Sequence, residues 1–364
     1  MNVAIDLTQI DNQSLGSGQY RYAADLVDGI VRLTPDVHLT LFGSNVQPRS
    51  EFAAAVNARD RCRYVHLSPL SGRGYVYRDV ARLTWHLATS RIDLLHQPHT
   101  NFPFPKPCPV VVTAYHYYED RALFETRPYR YYVWSLRHRA DAIITLSDST
   151  REDFHTHFGV PLGRMRTIYN GLSPAFAAGG GRRSERPFVL SPYNLSVPKN
   201  LRSLILAWPR IAERHPSVGL VLYGQSVTAD REAEFERLLA GTPGADRIRR
   251  TGYVTDAELA DLFAGCALFV FPTTVEGFGY PLLEAMAHGA CCITRNASAM
   301  REIGGDAVRL IETLNPDEIA TVAIELLNDS AQRATLGGRA AERAKQFTVE
   351  RMVRQTVECY LSVT

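Results

Sequence analysis

The sequence predicts an α/β protein made of two doubly wound domains in tandem. Short β-branched runs alternate with amphipathic helical patterns through both halves of the chain, as in a parallel sheet covered on both faces. A stretch rich in glycine, proline and charge, "SPAFAAGGGRRSERP" at 173–187, parts the halves and reads as a linker. The length of 364 residues exceeds one ordinary domain and suits two.

Each predicted element has its own signal. "NVAIDL" is a short apolar strand, followed by a glycine turn and by "GQYRYAADLVDGIVRL", whose apolar residues recur at helical spacing. "VHLTLFG", "IDLLHQP", "CPVVVTAY" and "DAIITLS" continue the strands of the first half. Ser147 and Ser149 read as helix caps before "REDFHTHF", and Asn170-Gly171 as a turn. In the second half "PFVLSPYN" is a strand and "NLRSLILAWPRIAERHP" a helix stopped by Pro216. "VGLVLYG" is a strand, "DREAEFERLLAGT" a charged amphipathic helix and "IRRTGYV" a strand. "DAELADLFAGC" is a helix with Asp256 as its expected N-cap, and "ALFVFPT" and "ACCITRN" are buried strands. The expected boundaries are 1–172 for the first domain, 173–187 for the linker and 188–346 for the second domain, with a C-terminal helix at 347–364 crossing back to the first.

Composition narrows the class. Hydrophobic residues make up 45% and charged residues 21%, a globular balance. Lys+Arg number 40 against Asp+Glu 38, so no bulk charge draws the chain to nucleic acid. The six cysteines form no Cys-x-x-Cys pair, which argues against a zinc site and suits a reducing, cytosolic compartment. Cys291-Cys292 read as buried strand residues. The N-terminus lacks the basic start and long apolar core of a signal peptide, and no run reaches the ~18–20 apolar residues of a membrane span. The expected protein is soluble, or peripheral at the inner face of a membrane.

The chemistry concentrates in "FPTTVEGFGYPLLEAMAHGA", residues 271–290. It reads as strand, loop and helix. Pro281 suits the first helical turn, where its missing N–H costs nothing, and Gly289 ends the helix. Gly277-Phe278-Gly279 therefore presents free N–H groups at a helix N-terminus, which favours an anion such as phosphate. Glycine allows the close backbone approach that a diphosphate requires. Two carboxylates beside a phosphate site must serve other groups. Glu284, one to two turns into the helix, can accept both hydroxyls of a ribose; Glu276, before the glycines, can accept hydroxyls of a sugar beyond the diphosphate. Sugar, diphosphate and ribose in sequence make a nucleotide-sugar.

This Glu-x7-Glu segment with Gly-Phe-Gly-Tyr-Pro inside it resembles the donor-site motif of family 4 retaining glycosyltransferases, which have the GT-B fold of two Rossmann-like domains facing a cleft. The likeness runs through nearly the whole chain. "GSGQYRYAADLV" is similar to the family's N-terminal glycine loop and helix, and "IDLLHQPHTNFP" to its Asp-x-x-His-x-Pro strand end. "ADAIITLSDSTREDFHTHFGVPLGRMRTIYNGLSPAF" resembles the segment that closes the first domain. "NASAMREIGGDAVRLIE" and "FTVERMVRQTVECYL" resemble later family segments, the second being the crossing helix.

The resemblance implies roles by position. Lys199, in "NLSVPKNL", neutralises the donor diphosphate, as a site without a metal requires. His116 lies near the transferred sugar, with Tyr115 the alternative holder of that position. Gly16, Gly18, Asn194, Gly277, Phe278, Gly279, Tyr280 and Glu284 line the donor site with Lys199, and Glu276 orients the sugar rather than attacking it. Where the family usually carries an arginine, five positions before that lysine or directly beside it, this chain has Asn194 and Pro198, so either Arg295 or Arg301 supplies the charge or the site is weakened. The implied activity is transfer of a sugar, with GDP-mannose the first choice of donor, to a hydroxyl of a saccharide or lipid-linked glycan, with retention and without a metal. "GFGYP" and the "VPKN" turn look closest to mannosyltransferase-like enzymes of cell-surface polysaccharide synthesis. Two alternatives stand beside it: a catalytically weak partner subunit, and a nucleotide-sugar epimerase of the same fold. His96 and His99 stay open between strand-end structure and acceptor contact. "RPYRYYVWSLRHRA", at 127–140, stays open between a core helix and one lying on an anionic membrane.

Overall fold

The computed structural model describes residues 1–10, 17–48, 50–58, 60–67, 75–98, 106–115, 127–172, 187–196, 199–225 and 229–364. The chain divides into two compact units, Met1–Gly171 with Thr348–Thr364, and Leu172–Phe347.

The first unit holds a seven-stranded sheet of β1 (Asn2–Asp6), β2 (His38–Gly43), β3 (Cys62–His66), β4 (Leu94–Gln97), β5 (Val110–Ala114), β6 (Ala142–Thr145) and β7 (Met165–Thr167). Their order is β3-β2-β1-β4-β5-β6-β7, and every pair is parallel. Runs such as "VVVTA" are buried along their whole length because helices cover both faces. One face carries α1 (Gly18–Leu33) and the other carries α3 (Tyr75–Thr89), α4 (Arg127–His138) and α5 (Asp148–Phe158), with α2 (Ser50–Ala58) packed beside α1. Ser147 caps α5 by accepting from Thr150 N at 3.1 Å, whereas Ser149 lies inside the helix.

The second unit holds six parallel strands: β8 (Phe188–Pro192), β9 (Gly219–Tyr223), β10 (Ile248–Gly252), β11 (Leu268–Phe271), β12 (Cys292–Arg295) and β13 (Arg309–Ile311). Their order is β10-β9-β8-β11-β12-β13. The helices are α6 (Leu201–Arg214), α7 (Ala229–Ala240), α8 (Asp256–Gly265), α9 (Tyr280–Ala287), α10 (Ser298–Gly304), α11 (Pro316–Asn328) and α12 (Ser330–Ala344). The cap of α8 is Thr255, one residue before the expected Asp256. Thr255 and Glu258 form a reciprocal capping box, which satisfies two backbone donors where Asp256 would satisfy one.

The last helix, α13 (Val349–Leu361), belongs to the first unit. It lies against α1 at Gly29, where an added Cβ would stand 2.5 Å from Val353 Cγ2. All six cysteines are free, and burial pushes Cys62 up to about 12 and Cys291 to about 11. Among the described residues no helix is long and apolar enough to cross a membrane.

Candidate donor site

Open parallel sheets bind ligands beyond the carboxyl ends of their strands, where the strand order reverses. In the second unit that reversal lies between β8 and β11, which pair directly through Leu268 with Val189 and Phe269 with Leu190. Lys199 follows β8 and Glu276 follows β11. Topology alone thus brings together two residues 77 positions apart, and their side chains form an ion pair from Lys199 Nζ to Glu276 Oε1. The pair is mostly shielded, with the two side chains 25% and 12% exposed. Lys199 Nζ also stands 5.3 Å from the centroid of the Phe271 ring, a cation–π contact at the end of β11.

Each partner is set by its loop. After β8 the side chain of Asn194 accepts from Ser196 N at 2.9 Å, and Lys199 N donates to Ser196 O at 3.0 Å. The Asn194 carbonyl oxygen thus shapes the turn that delivers the lysine. Asn200 adopts a left-handed conformation, φ 47°, to enter α6. After β11, Thr273 Oγ1 lies 3.3 Å from Glu276 Oε1, and Glu276 N donates to Ser298 Oγ at 3.3 Å. Arg295, at the end of β12, donates from Nη1 to Thr274 O at 3.1 Å. Its Nε is buried without a hydrogen-bond partner among the described residues. Arg301 is exposed on α10.

The glycine loop has the predicted form. Gly279 stands at the N-cap of α9 with φ 90°, and no side chain caps the helix. An added Cβ there would come within 2.1 Å of Met300 Cε, so the position requires glycine on conformation and space alike. Pro281 lies in the first turn and Gly289 follows the helix with φ 71°. Phe278 is buried, edge-on to Tyr280 at 5.3 Å and to Phe347 at 6.1 Å. Its ring anchors the loop. Tyr280 is buried too. Glu284 is only 3% exposed, on the buried side of α9. His288 Nδ1 approaches its backbone oxygen at 2.8 Å, and desolvation holds the His288 imidazole below its usual pKa.

Gly18 opens α1 and is exposed, and Ser17 caps the helix by accepting from Tyr20 N at 3.2 Å. Gly16, His116, Pro198 and His99 lie outside the described residues. His96 is fully buried: Nδ1 pairs with Tyr360 Oη at 2.6 Å and Nε2 with Thr113 Oγ1 at 2.8 Å, while Thr113 pairs with Tyr22 Oη at 3.0 Å. The open question about His96 closes on the structural side. Sequence reading missed this network because Tyr360 lies 264 positions away. It also missed Ser298 and Thr273 as supports of Glu276, since neither stands in a recognisable motif.

Comparison with known proteins agrees with the geometry. Residues 16–176 match the family model "Glycosyltransferase Family 4", and residues 174–343 match "Glycosyl transferases group 1". O-antigen chain mannosyltransferase B of Escherichia coli is 27% identical, over 94% of this chain and 96% of that protein. Among solved structures, Anabaena HepE in complex with UDP and glucose has a TM-score of 0.77 and 20% identity, covering 100% of both chains. WaaG, a glycosyltransferase involved in lipopolysaccharide biosynthesis, has a TM-score of 0.77 and 17% identity, covering 100% of this chain and 99% of that one. With one family model on each half and a full-length relative across both, the chain belongs to glycosyltransferase family 4 and is a hexosyltransferase of the GT-B fold.

Proposed function

We propose that the chain transfers mannose from GDP-mannose to a hydroxyl of a saccharide or lipid-linked glycan, with retention, in cell-surface polysaccharide synthesis. The observation that carries the reading is the meeting of Lys199, Glu276 and the uncapped glycine turn of α9 at the strand-order reversal of one unit. The name of the full-length Escherichia coli relative supports mannose and an O-antigen-like product.

In this reading the N–H groups of the 277–279 turn and the positive end of α9 take the donor diphosphate, and Lys199 offsets its charge. Glu284 accepts from the ribose hydroxyls and Glu276 from the sugar hydroxyls. Arg295 supplies the charge that Asn194 and Pro198 lack: its guanidinium braces the loop that carries Glu276, whereas Arg301 is turned to solvent. The sugar C1–O bond to the diphosphate breaks, the acceptor oxygen bonds to C1 on the same face, and a diphosphate oxygen takes the acceptor proton. The protein positions the groups and stabilises the charge that builds on the leaving diphosphate.

The test begins with thermal midpoints against UDP, GDP, ADP, CDP and dTDP in EDTA. Binding to the folded state raises the midpoint by mass action. GDP is expected to give the largest shift, followed by mannosyl transfer with α-linked product by NMR. A shift with UDP alone would reassign the donor. Donor consumed without an acceptor, giving an isomeric nucleotide-sugar, would favour the epimerase. No shift with any nucleotide would favour the partner subunit.

A further inference from the structure

We infer that α3 and α4 present a docking surface for an anionic lipid bilayer. Both helices bury their inner faces in one core cluster: Leu83 and Leu87 from α3, Tyr132 and Leu136 from α4. They therefore lie on the same face of the first unit's sheet. The residues two positions from these core residues point the opposite way, because two helical steps turn the chain by about 200°. On α3 that residue is Trp85, 62% exposed; on α4 it is Trp134, 43% exposed, stacked on Tyr131, also 43% exposed, at a centroid distance of 5.8 Å. Only one of the chain's three tryptophans, Trp208, is buried.

The charge on α4 has one sign. Residues 127–140 contain four arginines, one histidine and no acidic residue. Arg130, Arg137 and His138 share the outer face of α4 with Tyr131 and Trp134. Among the described residues no ion pair engages Arg130 or Arg137, and Asp141, four positions after Arg137, is held by Lys106 at 2.7 Å. Exposed indole and phenol rings are costly in water and favoured at the headgroup level of a bilayer, where arginines meet anionic phosphates. A protein partner would need a complementary acidic surface of its own; a bilayer supplies both chemistries in one plane. No helix spans a membrane among the described residues, so the contact is peripheral. The inference stands apart from the donor assignment.

The test uses the full chain with vesicles of phosphatidylcholine, alone or with about 30% phosphatidylglycerol, an anionic density typical of a charged leaflet. The expected result is sedimentation with the anionic vesicles only, weakening as salt rises, with a blue shift of the tryptophan emission. Arg130→Glu with Arg137→Glu should cut the bound fraction by about tenfold or more. Tyr131→Ser with Trp134→Ser should abolish the blue shift from α4 and weaken binding, and Trp85→Phe should remove the remaining shift. These positions are exposed, so thermal midpoints should hold. Equal binding to both vesicle types, no binding at low salt, or binding unchanged in both double variants would overturn the inference. So would concentration-dependent self-association lost in the Trp134 variant, which would mark the face as an interface between copies.

Discussion

Lys199 and Glu276 neutralise one another, so a diphosphate that engages Lys199 must compete with Glu276 for it. Such a partly shielded pair contributes on the order of 1 kcal/mol, or about fivefold in affinity. Glu276→Gln is therefore expected to tighten nucleoside diphosphate binding by a few-fold while lowering transfer, because in the proposed role the amide oxygen is a weaker, uncharged acceptor for the sugar hydroxyls. Lys199→Gln should weaken the same binding by about 10–100-fold, the usual worth of a charge-assisted hydrogen bond. Calorimetric titration of both variants decides it; weaker binding in Glu276→Gln would show that the carboxylate does not compete. Arg295 gives a parallel prediction. Arg295→Met should lower affinity for a nucleoside diphosphate by about tenfold and leave a nucleoside's affinity unchanged, whereas Arg301→Met should change neither. Equal losses for nucleoside and diphosphate would make Arg295 a loop brace alone. The sequence already marked Lys199, Glu276 and Glu284 through turn chemistry and family likeness. It could not pair Lys199 with Glu276, because that contact depends on which strands are neighbours.

At the scale of elements, the glycine positions tie local conformation to the site. Gly279 gives α9 its left-handed entry, and Met300 of α10 fills the space where a side chain would sit. Gly279→Ala has to strain the backbone and displace Met300. A loss of about 1–3 kcal/mol is expected, with nucleotide affinity falling as the turn shifts. Chemical denaturation and nucleotide titration of the variant check the two effects; a variant with unchanged stability and binding would remove Gly279 from the argument. The helix itself was legible from Pro281, Gly289 and the apolar run. The burial of the Phe278 ring was not, because a phenylalanine between two glycines reads equally well as an exposed lid. Its partners, Tyr280 and Phe347, are known only once the fold is closed. The Thr255 cap shows the same limit on a smaller scale: Thr and Asp are both good caps, and only the reciprocal bond with Glu258 selects between them.

At the scale of the whole molecule, the alternation of strand and helix foretold both parallel sheets, whose buried strands leave an unbroken apolar signal. The same signal does not show why the chain's end belongs with its beginning. Three contacts supply the reason. Gly171, the last residue before the chain leaves the first unit, lies so close to the returning backbone that an added Cβ would stand 2.1 Å from Val349 N. Gly29 lets Val353 against α1, and Tyr360 closes the buried network on His96. The helix α13 is thus part of the first unit's core. Deleting residues 348–364 would leave His96 Nδ1 without Tyr360 Oη, at a cost of about 1–3 kcal/mol, and would remove the buried Val349, Met352, Val353 and Tyr360, at about 1.5–3 kcal/mol for each. Typical domain stabilities are about 5–15 kcal/mol, so the first unit should unfold. The second unit contributes none of these contacts and should keep its own transition and its nucleotide shift. Calorimetry of the truncated chain with and without nucleoside diphosphate reads both. Loss of the nucleotide-sensitive transition along with the first would show that the donor unit does not fold alone. Retention of both transitions would show that α13 is dispensable to the first unit.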